Sequence, residues 1–357
     1  MPKSAQFLPD ADLLASDRGV GLDIRQCSGC GLVQINNEPV PYYKEVIRAV
    51  GISEEMKAFR LKQFHDLIKR FSLAGKKVIE IGCGRGEYLA IMSQCGVNAC
   101  GLEYSDESVT QCRKIGLKVT KGFIDNSAYS LEGAPFDAFY ILSFLEHLPD
   151  PNAALRGIFN NLVNGGVGLV EVPNFDMILR KNLFSEFITD HLFYFTRATL
   201  CFTLNLNGFE IIDCGEVWHD YIISAIVRKR DVLDISRFAK CQERIRREIE
   251  AYIGRYGPKK VAIWGAGHQA LAVIALSDLG PKVKYVVDSA EFKQGKFTPG
   301  SHIPIVSPKM LELDPVAAVI IIAGSYSDEV AGIIRQRVNC KADIAILRDF
   351  GLEITVG

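Results

Sequence analysis

The chain has 357 residues, 48% of them apolar and 23% charged, and its 41 Lys and Arg nearly cancel its 42 Asp and Glu. That length accommodates two domains and a small third module, and the balanced charge gives no reason to expect nucleic acid as a partner. MPKSAQFLPDADLL carries acids early and lacks a signal-like apolar run, and PVAAVIIIAG at 315–324 is too short to span a bilayer, so a cytoplasmic protein without a membrane partner is expected.

Residues 1–44 hold Pro, Gly and one C-x-x-C pair, Cys27 and Cys30, with little periodicity, and read as a small irregular module. The remaining cysteines are scattered through strand-like and helix-like segments, so reduced thiols rather than a disulfide framework are expected. From about 45 to 73, YKEVIRAV and EEMKAFRLKQFHDLIKRF space apolar residues as an amphipathic helical lead-in.

From 77 onward strand and helix patterns alternate. KVIEIG, NACGLEY, FDAFYILSFLEHL and VGLVEVPN read as strands; EYLAIMSQCG, SDESVTQCRKIG and NAALRGIFNNLVNGG read as the helices between them. Such alternation predicts α/β architecture, a mostly parallel sheet with helices on both faces. After FSEFITDHLFYF at 184–195, TRATLCFTLNLNGF predicts a helix, and FEIIDCGEV and YIISAIVRK predict two closing strands, completing a domain over 45–230. Residues 231–357 hold a charged connecting helix and a second α/β unit, with KKVAIWGAGHQA as strand, glycine turn and helix, and KVKYVVD and VAAVIIIAG as further strands.

VIEIGCGRGEYL sets Glu80, Gly82, Gly84 and Gly86 between a strand and a helix. Glycines permit the tight turn and a ligand against bare backbone, and the helix start offers free N–H groups. The turn alone also suits a dinucleotide. Three acids favour S-adenosylmethionine: Glu80 to order the loop, Glu103 in GLEYS to accept ribose hydroxyls, and Asp125 in GFIDN to accept from the adenine amino group. Tyr104 and Ser143 are grouped with these cofactor residues, and Glu146, beside His147 in FLEHLPDP, with the acceptor side.

EIGCGRGEYL, GLEYS and FDAFYILSFLEHLPDP resemble class I S-adenosylmethionine-dependent methyltransferases over about 75–175. VAIWGAGHQALAV, YVVDSAEFKQGKFTPGSHIPIVSP and AGSYSDEV extend the resemblance to the sugar C-methyltransferase family. It implies a cysteine-bearing N-terminal module, a class I Rossmann-like domain and a second Rossmann-like domain, with S-adenosyl-L-methionine as methyl donor. It also implies a small-molecule acceptor, typically a nucleotide-linked ketosugar methylated on carbon. Oligomeric state is not encoded in these patterns.

The second glycine turn, WGAGHQA, with Asp288 ending the next strand, reads alone as a nucleotide site. The resemblance instead implies a domain without a redox cofactor; His268, placed to bind a phosphate or to cap its helix, and Lys293, placed to offer charge to a diphosphate or to sit on solvated surface, are candidate substrate contacts. Cys27 and Cys30 match half of the family's zinc module. A structural zinc wants four ligands and no upstream pair exists, so zinc is doubtful and no metal is expected. Tyr42 and Tyr43 fall where the family brings aromatic rings to the active site, with packing of a small module as the alternative.

FSEFITDHLFYF carries the acceptor-side reading. Methyl transfer requires donor and acceptor in line and a group that takes the acceptor's proton. The family uses a Tyr-His-Glu-His run here; this chain has Ile188, Thr189, Asp190 and His191. His191 matches the base, Asp190 stands in the acid's position, and the lost Tyr makes O- or N-methylation a competitor to C-methylation. His147 is the rival base or an orderer of its loop. A binding protein without chemistry is the alternative from another class.

Overall fold

The computed structural model describes residues 1–3, 8–45, 52–337 and 341–355. Its chain forms two compact units, Met1–Val232 and Leu233–Gly357.

In the first unit, β1 (Ile24–Gln26) and β2 (Val33–Ile35) make a short antiparallel hairpin across the Cys27–Cys30 turn, so the stretch that looked irregular contains a strand pair. The lead-in helix α1 spans Glu54–Phe71; residues 46–51 of the expected helix lie outside the described residues. Ser53 caps α1 by accepting from the Met56 N–H at 3.1 Å, with Glu54 and Glu55 in the first turn and Lys69 and Arg70 in the last.

The alternating segment follows as β3 (Lys77–Ile81), α2 (Glu87–Ser93), β4 (Asn98–Glu103), α3 (Asp106–Lys114), β5 (Val119–Lys121), β6 (Phe136–Leu142), α4 (Pro151–Asn160) and β7 (Leu162–Pro173). Then come α5 (Phe175–Lys181), β8 (Phe193–Tyr194), α6 (Arg197–Leu206), β9 (Phe209–Val217) and β10 (Ile222–Lys229). The helix read from NAALRGIFNNLVNGG stops at Asn160. LVNGG instead opens β7, because Gly165 (φ 69°) lets the strand bend into register beside β6.

The main sheet has the order β5-β4-β3-β6-β7-β10-β9. Strands β3 to β7 pair in parallel, and β10 runs antiparallel between β7 and β9. One face packs Val78, Tyr140 and Leu169 against Phe64 and Leu67 of α1 and Tyr88 of α2. The other packs Ile79, Phe139 and Val170 against Leu155 of α4 and Leu200 of α6. These double-sided strands explain why the sequence reads as continuous apolar runs there.

A buried charge pair fastens α1 to this sheet. Arg60 of α1 is 1% exposed and Glu171 of β7 is 0% exposed, and the two form a salt bridge. Gln63 completes the network, accepting from Arg60 at 2.7 Å and donating to Glu171 at 2.5 Å. The Arg60 guanidinium also lies 4.8 Å from the Tyr88 ring centroid, above the helix that follows the glycine turn.

The second unit contains α7 (Ser236–Gly254), β11 (Val261–Trp264), α8 (His268–Leu276), β12 (Val283–Val287), β13 (Ile305–Val306), α9 (Met310–Leu313), β14 (Ala318–Ile321), α10 (Ser327–Arg337), β15 (Asp343–Arg348) and β16 (Gly351–Thr355). Its sheet order is β13-β12-β11-β14-β15-β16, parallel except for β16. α7 and α8 cover one face and α9 and α10 the other. Both units are thus α/β layers of Rossmann-like design. No helix among the described residues is long and apolar enough to cross a membrane.

Candidate active site

Strand order runs outward in opposite directions from β3 and β6, which opens a crevice at their carboxyl ends. The turn after β3 has Gly82, Gly84 and Gly86 at φ values of 71°, 53° and 83°. A Cβ on Gly82 would lie 2.5 Å from the Phe144 ring, and one on Gly86 would lie 2.6 Å from Leu117 and 2.8 Å from Cys112. Those two glycines serve packing. A Cβ on Gly84 would meet nothing within 4 Å, so the backbone there is open, whereas Gly82 lines the small cavity at the crevice.

Glu103, 6% exposed at the end of β4, braces that turn. One of its oxygens accepts from the Gly84 N–H at 2.7 Å; the other accepts from the Tyr104 and Ser105 N–H groups at 2.9 Å each. Burial raises its pKa, and the three backbone donors oppose that rise. Of a carboxylate's roughly four acceptor directions the backbone takes three, leaving one for a ribose hydroxyl where two were expected. Glu80 lies in β3, 3% exposed, and accepts from the Tyr140 hydroxyl at 3.0 Å. It stiffens the sheet below the turn, in keeping with a loop-ordering part.

Ser143 ends β6 in the left-handed region (φ 50°), and its N–H donates to the Glu171 carbonyl at 2.8 Å. A non-glycine residue held there costs on the order of 1–3 kcal/mol and marks a turn shaped by its surroundings. Phe144 follows, stacked edge-on to Phe123 at 6.3 Å, and Phe123 meets Tyr104 at 6.0 Å and Tyr43 at 5.8 Å. Lys44 sits over this cluster, 4.8 Å from the Phe123 centroid and 5.4 Å from that of Tyr104. Its ammonium lies 3.6 Å from Asp125, so the acid expected at adenine faces a cation from the N-terminal segment. Lys44, Gly82, Glu103, Tyr104, Phe123 and Phe144 line one small cavity. Open backbone at Gly84, a strand-end carboxylate and a flanking aromatic wall suit an adenosine carrying a methionine chain. Lys44 escaped the sequence reading, although a cation after two aromatic residues in PYYK was the available signal.

On the other side of Phe144, three groups from two distant stretches of the sequence meet. Glu146 and His147 lie in the 3-10 turn after β6, and His191 precedes β8. The His147 and His191 rings pack edge to face with centroids 4.7 Å apart, and the Leu192 N–H donates to the Glu146 carbonyl at 2.8 Å. His147 Nδ1 lies 2.7 Å from the Asp190 carbonyl. A carbonyl only accepts, so Nδ1 carries the proton and Nε2 keeps its lone pair, 4.0 Å from Glu146. Burial lowers the His147 pKa to about 4, and burial followed by the His147 charge holds His191 well below the ordinary imidazole range. Both rings are neutral near pH 7. Glu146 is 1% exposed, neither carboxylate oxygen meets a hydrogen-bond partner among the described residues, and burial pushes its pKa up to about 8.

The two tyrosines turn to different places. The Tyr42 hydroxyl donates to the Asp190 carboxylate at 2.7 Å, whereas Tyr43 packs on Phe123 at the crevice. Successive side chains diverge where the chain enters the 3-10 turn Tyr43–Glu45. Asp190 also accepts from the Thr189 hydroxyl at 3.2 Å. Its carboxylate is thus met by the side chains of Tyr42 and Thr189.

In the second unit, Asp288 accepts from the Ala266 N–H at 2.8 Å, the Ala290 N–H at 2.9 Å and the Lys293 ammonium at 2.9 Å. Lys293, expected to offer charge to substrate, is thus paired internally, and Asp288 fills the glycine turn where a ribose contact was read. A Cβ on Gly265 would strike the Ile322 carbonyl at 2.3 Å, so strand packing demands that glycine. His268 is exposed as the first residue of α8. Cys27 is exposed and Cys30 half-buried, a two-thiol set short of a structural zinc site.

Residues 56–213 match the family described as Methyltransferase domain, and residues 229–343 match C-methyltransferase C-terminal domain. The chain is similar to C-methyltransferase NovU of Streptomyces niveus, 24% identical, covering 92% of this chain and 86% of that protein. It is 34% identical over 103 residues to the Ubiquinone biosynthesis O-methyltransferase of Pseudomonas fluorescens (strain SBW25), spanning 28% of this chain and only 44% of that protein. Among solved structures, an S-adenosylmethionine-dependent methyltransferase from Mesorhizobium loti is similar at 17% identity and a TM-score of 0.38, covering 46% of this chain and 96% of that one. The crevice, its glycine turn and the two matched domains lead to one conclusion: the chain is an S-adenosylmethionine-dependent methyltransferase, with a methyltransferase domain followed by a C-methyltransferase C-terminal domain.

Proposed function

We propose that this enzyme methylates a sugar, a nucleotide-linked ketosugar in the cytoplasm, with His191 accepting the acceptor's proton. The observation that carries the reading is a neutral, half-buried imidazole at His191, set against His147 and joined through Phe144 to the crevice that suits the donor. The donor supplies a methyl group on a positively charged sulfur, which departs as a neutral thioether when the acceptor attacks. An acceptor carbon beside a carbonyl must first lose a proton. A neutral imidazole can take it, and its depressed pKa means the proton is held only briefly. The Tyr42–Asp190 pair holds the chain next to His191, so the ring keeps its orientation. Likeness to a C-methyltransferase over most of both chains favours carbon as the atom methylated.

A second reading has one specific observation in its favour. Ile188 and Thr189 replace groups that would assist enolisation, and a hydroxyl acceptor needs only deprotonation as it attacks. O-methylation of a sugar or another metabolite follows from the same base.

Exchanging His191 for Asn tests the base. With radiolabelled donor and a panel of nucleotide sugars, turnover should fall about 10²–10⁴-fold. Affinity for S-adenosylhomocysteine by calorimetry should change less than about twofold, separating chemistry from donor binding. Unchanged turnover would show that another group takes the proton.

A further inference from the structure

We infer that Glu146, His147 and His191 form a binding site for a zinc-class divalent cation, and that filling it switches methyl transfer off. One ligand atom from each residue lies within 4.8 Å of the others. Two imidazole nitrogens and one carboxylate oxygen are the donor set of many three-ligand zinc centres, which leave a fourth position open. Zinc bonds of about 2 Å would set tetrahedral ligand atoms about 3.4 Å apart, so the three groups need to draw together by about an ångström.

Two features point independently to a ligand. Glu146 is 1% exposed and neither oxygen meets a hydrogen-bond partner among the described residues, although a buried carboxyl normally has at least one. Protonation of Glu146, which its raised pKa permits, reduces the cost of its burial but supplies no partner. The His147 ring is also fixed in the form a metal requires. Nδ1 donates to the Asp190 carbonyl at 2.7 Å, the usual outer contact of a ligating imidazole, and leaves Nε2 on the side of Glu146. The 3-10 turn bearing Glu146 and His147 is tied to the His191 segment by the Leu192–Glu146 backbone bond. Two stretches more than forty residues apart in sequence thereby present their donors as one set.

The regulatory half rests on the transferase reading above, because a metal on His191 occupies the lone pair that would accept the acceptor's proton. The binding half does not.

The test uses the full chain carrying Cys27→Ser and Cys30→Ser, to silence the exposed thiol pair, stripped with EDTA and titrated with Co²⁺. One Co²⁺ per chain should bind with visible ligand-field bands and no thiolate charge-transfer band. Glu146→Gln should weaken that binding about 100-fold, and His191→Asn should do likewise. If the buried Gln variant fails to fold by circular dichroism, the half-exposed His191→Asn variant decides. Zn²⁺ should abolish methyl transfer at the concentration that displaces Co²⁺, with full recovery on EDTA. Absence of the bands, or unchanged affinity in the folded variants, overturns the site. Saturating Zn²⁺ that leaves turnover intact, or raises it, overturns the switch. If no acceptor is methylated while Co²⁺ binds as expected, the acceptor reading fails and the metal site stands.

Discussion

Replacing Arg60 by Met removes one partner of a pair in which neither member sees solvent, at 1% and 0% exposure. Met keeps most of the side-chain length, so the loss is mainly that of the charge opposite Glu171. Gln63 still donates to Glu171, but an amide does not neutralise a carboxylate. Breaking a buried pair from one side costs about 3–5 kcal/mol. For a unit of 232 residues this is a fall in melting temperature of about 6–20 °C. Calorimetry on the full chain reads the transition of the first unit. A second variant combining Arg60→Met with Glu171→Gln removes the stranded charge and should recover at least half of the loss. A single variant that melts within about 2 °C of the parent, or a double variant that recovers nothing, would refute the assignment of α1 anchoring to this pair.

The two glycines of the turn should separate cleanly. Gly82→Ala meets the Phe144 ring and a left-handed backbone together, and should lose about 2–5 kcal/mol of stability. Gly84→Ala meets only the backbone cost of about 1–2 kcal/mol, yet it adds a methyl to the open part of the turn proposed to hold the donor and should weaken S-adenosylhomocysteine binding at least about tenfold. Calorimetric affinity and melting curves check both, and the reverse ordering would overturn the division of roles. Thiol chemistry gives another test. Backbone N–H groups of Cys30 and Gly29 lower the pKa of exposed Cys27, whereas burial pushes Cys100 up to about 11 and Cys214 up to about 12. The thiolate is the reacting form, so iodoacetamide near pH 8, followed by peptide mass mapping, should label Cys27 well ahead of Cys100 and Cys214.

The alternating core was legible because buried parallel strands leave apolar runs such as FDAFYIL, and Gly and Ser punctuate the turns between them. The glycine turn and Glu103 were found from their position at strand ends. What escaped has a physical cause in each instance. The hairpin at 24–35 is exposed on β1 and short on both strands, so it has no alternation to read. LVNGG read as helix because its glycines resemble a helix stop, whereas only the neighbouring strand reveals that Gly165 serves a bend. Tyr42 and Tyr43 are adjacent, and no sequence pattern states which ring turns toward Asp190. Glu146 and His191 became partners through tertiary packing alone. Lys293 and Asp288 looked free because a ligand contact and an internal ion pair ask for the same residue types.

β8 is two residues long, and it joins β2 directly after His191, with Val33 opposite Tyr194 and Gln34 opposite Phe193. Tyr42 leaves the same N-terminal stretch to hold Asp190. If the acceptor binds at His191 as proposed, its preference is written in two separate pieces of the gene, one before the donor-binding core and one after it. Retargeting this enzyme by exchanging 184–195 alone would strand the new segment without its mate. The transplantable unit is 24–45 together with 184–195, moved as a pair onto an unchanged donor-binding sheet.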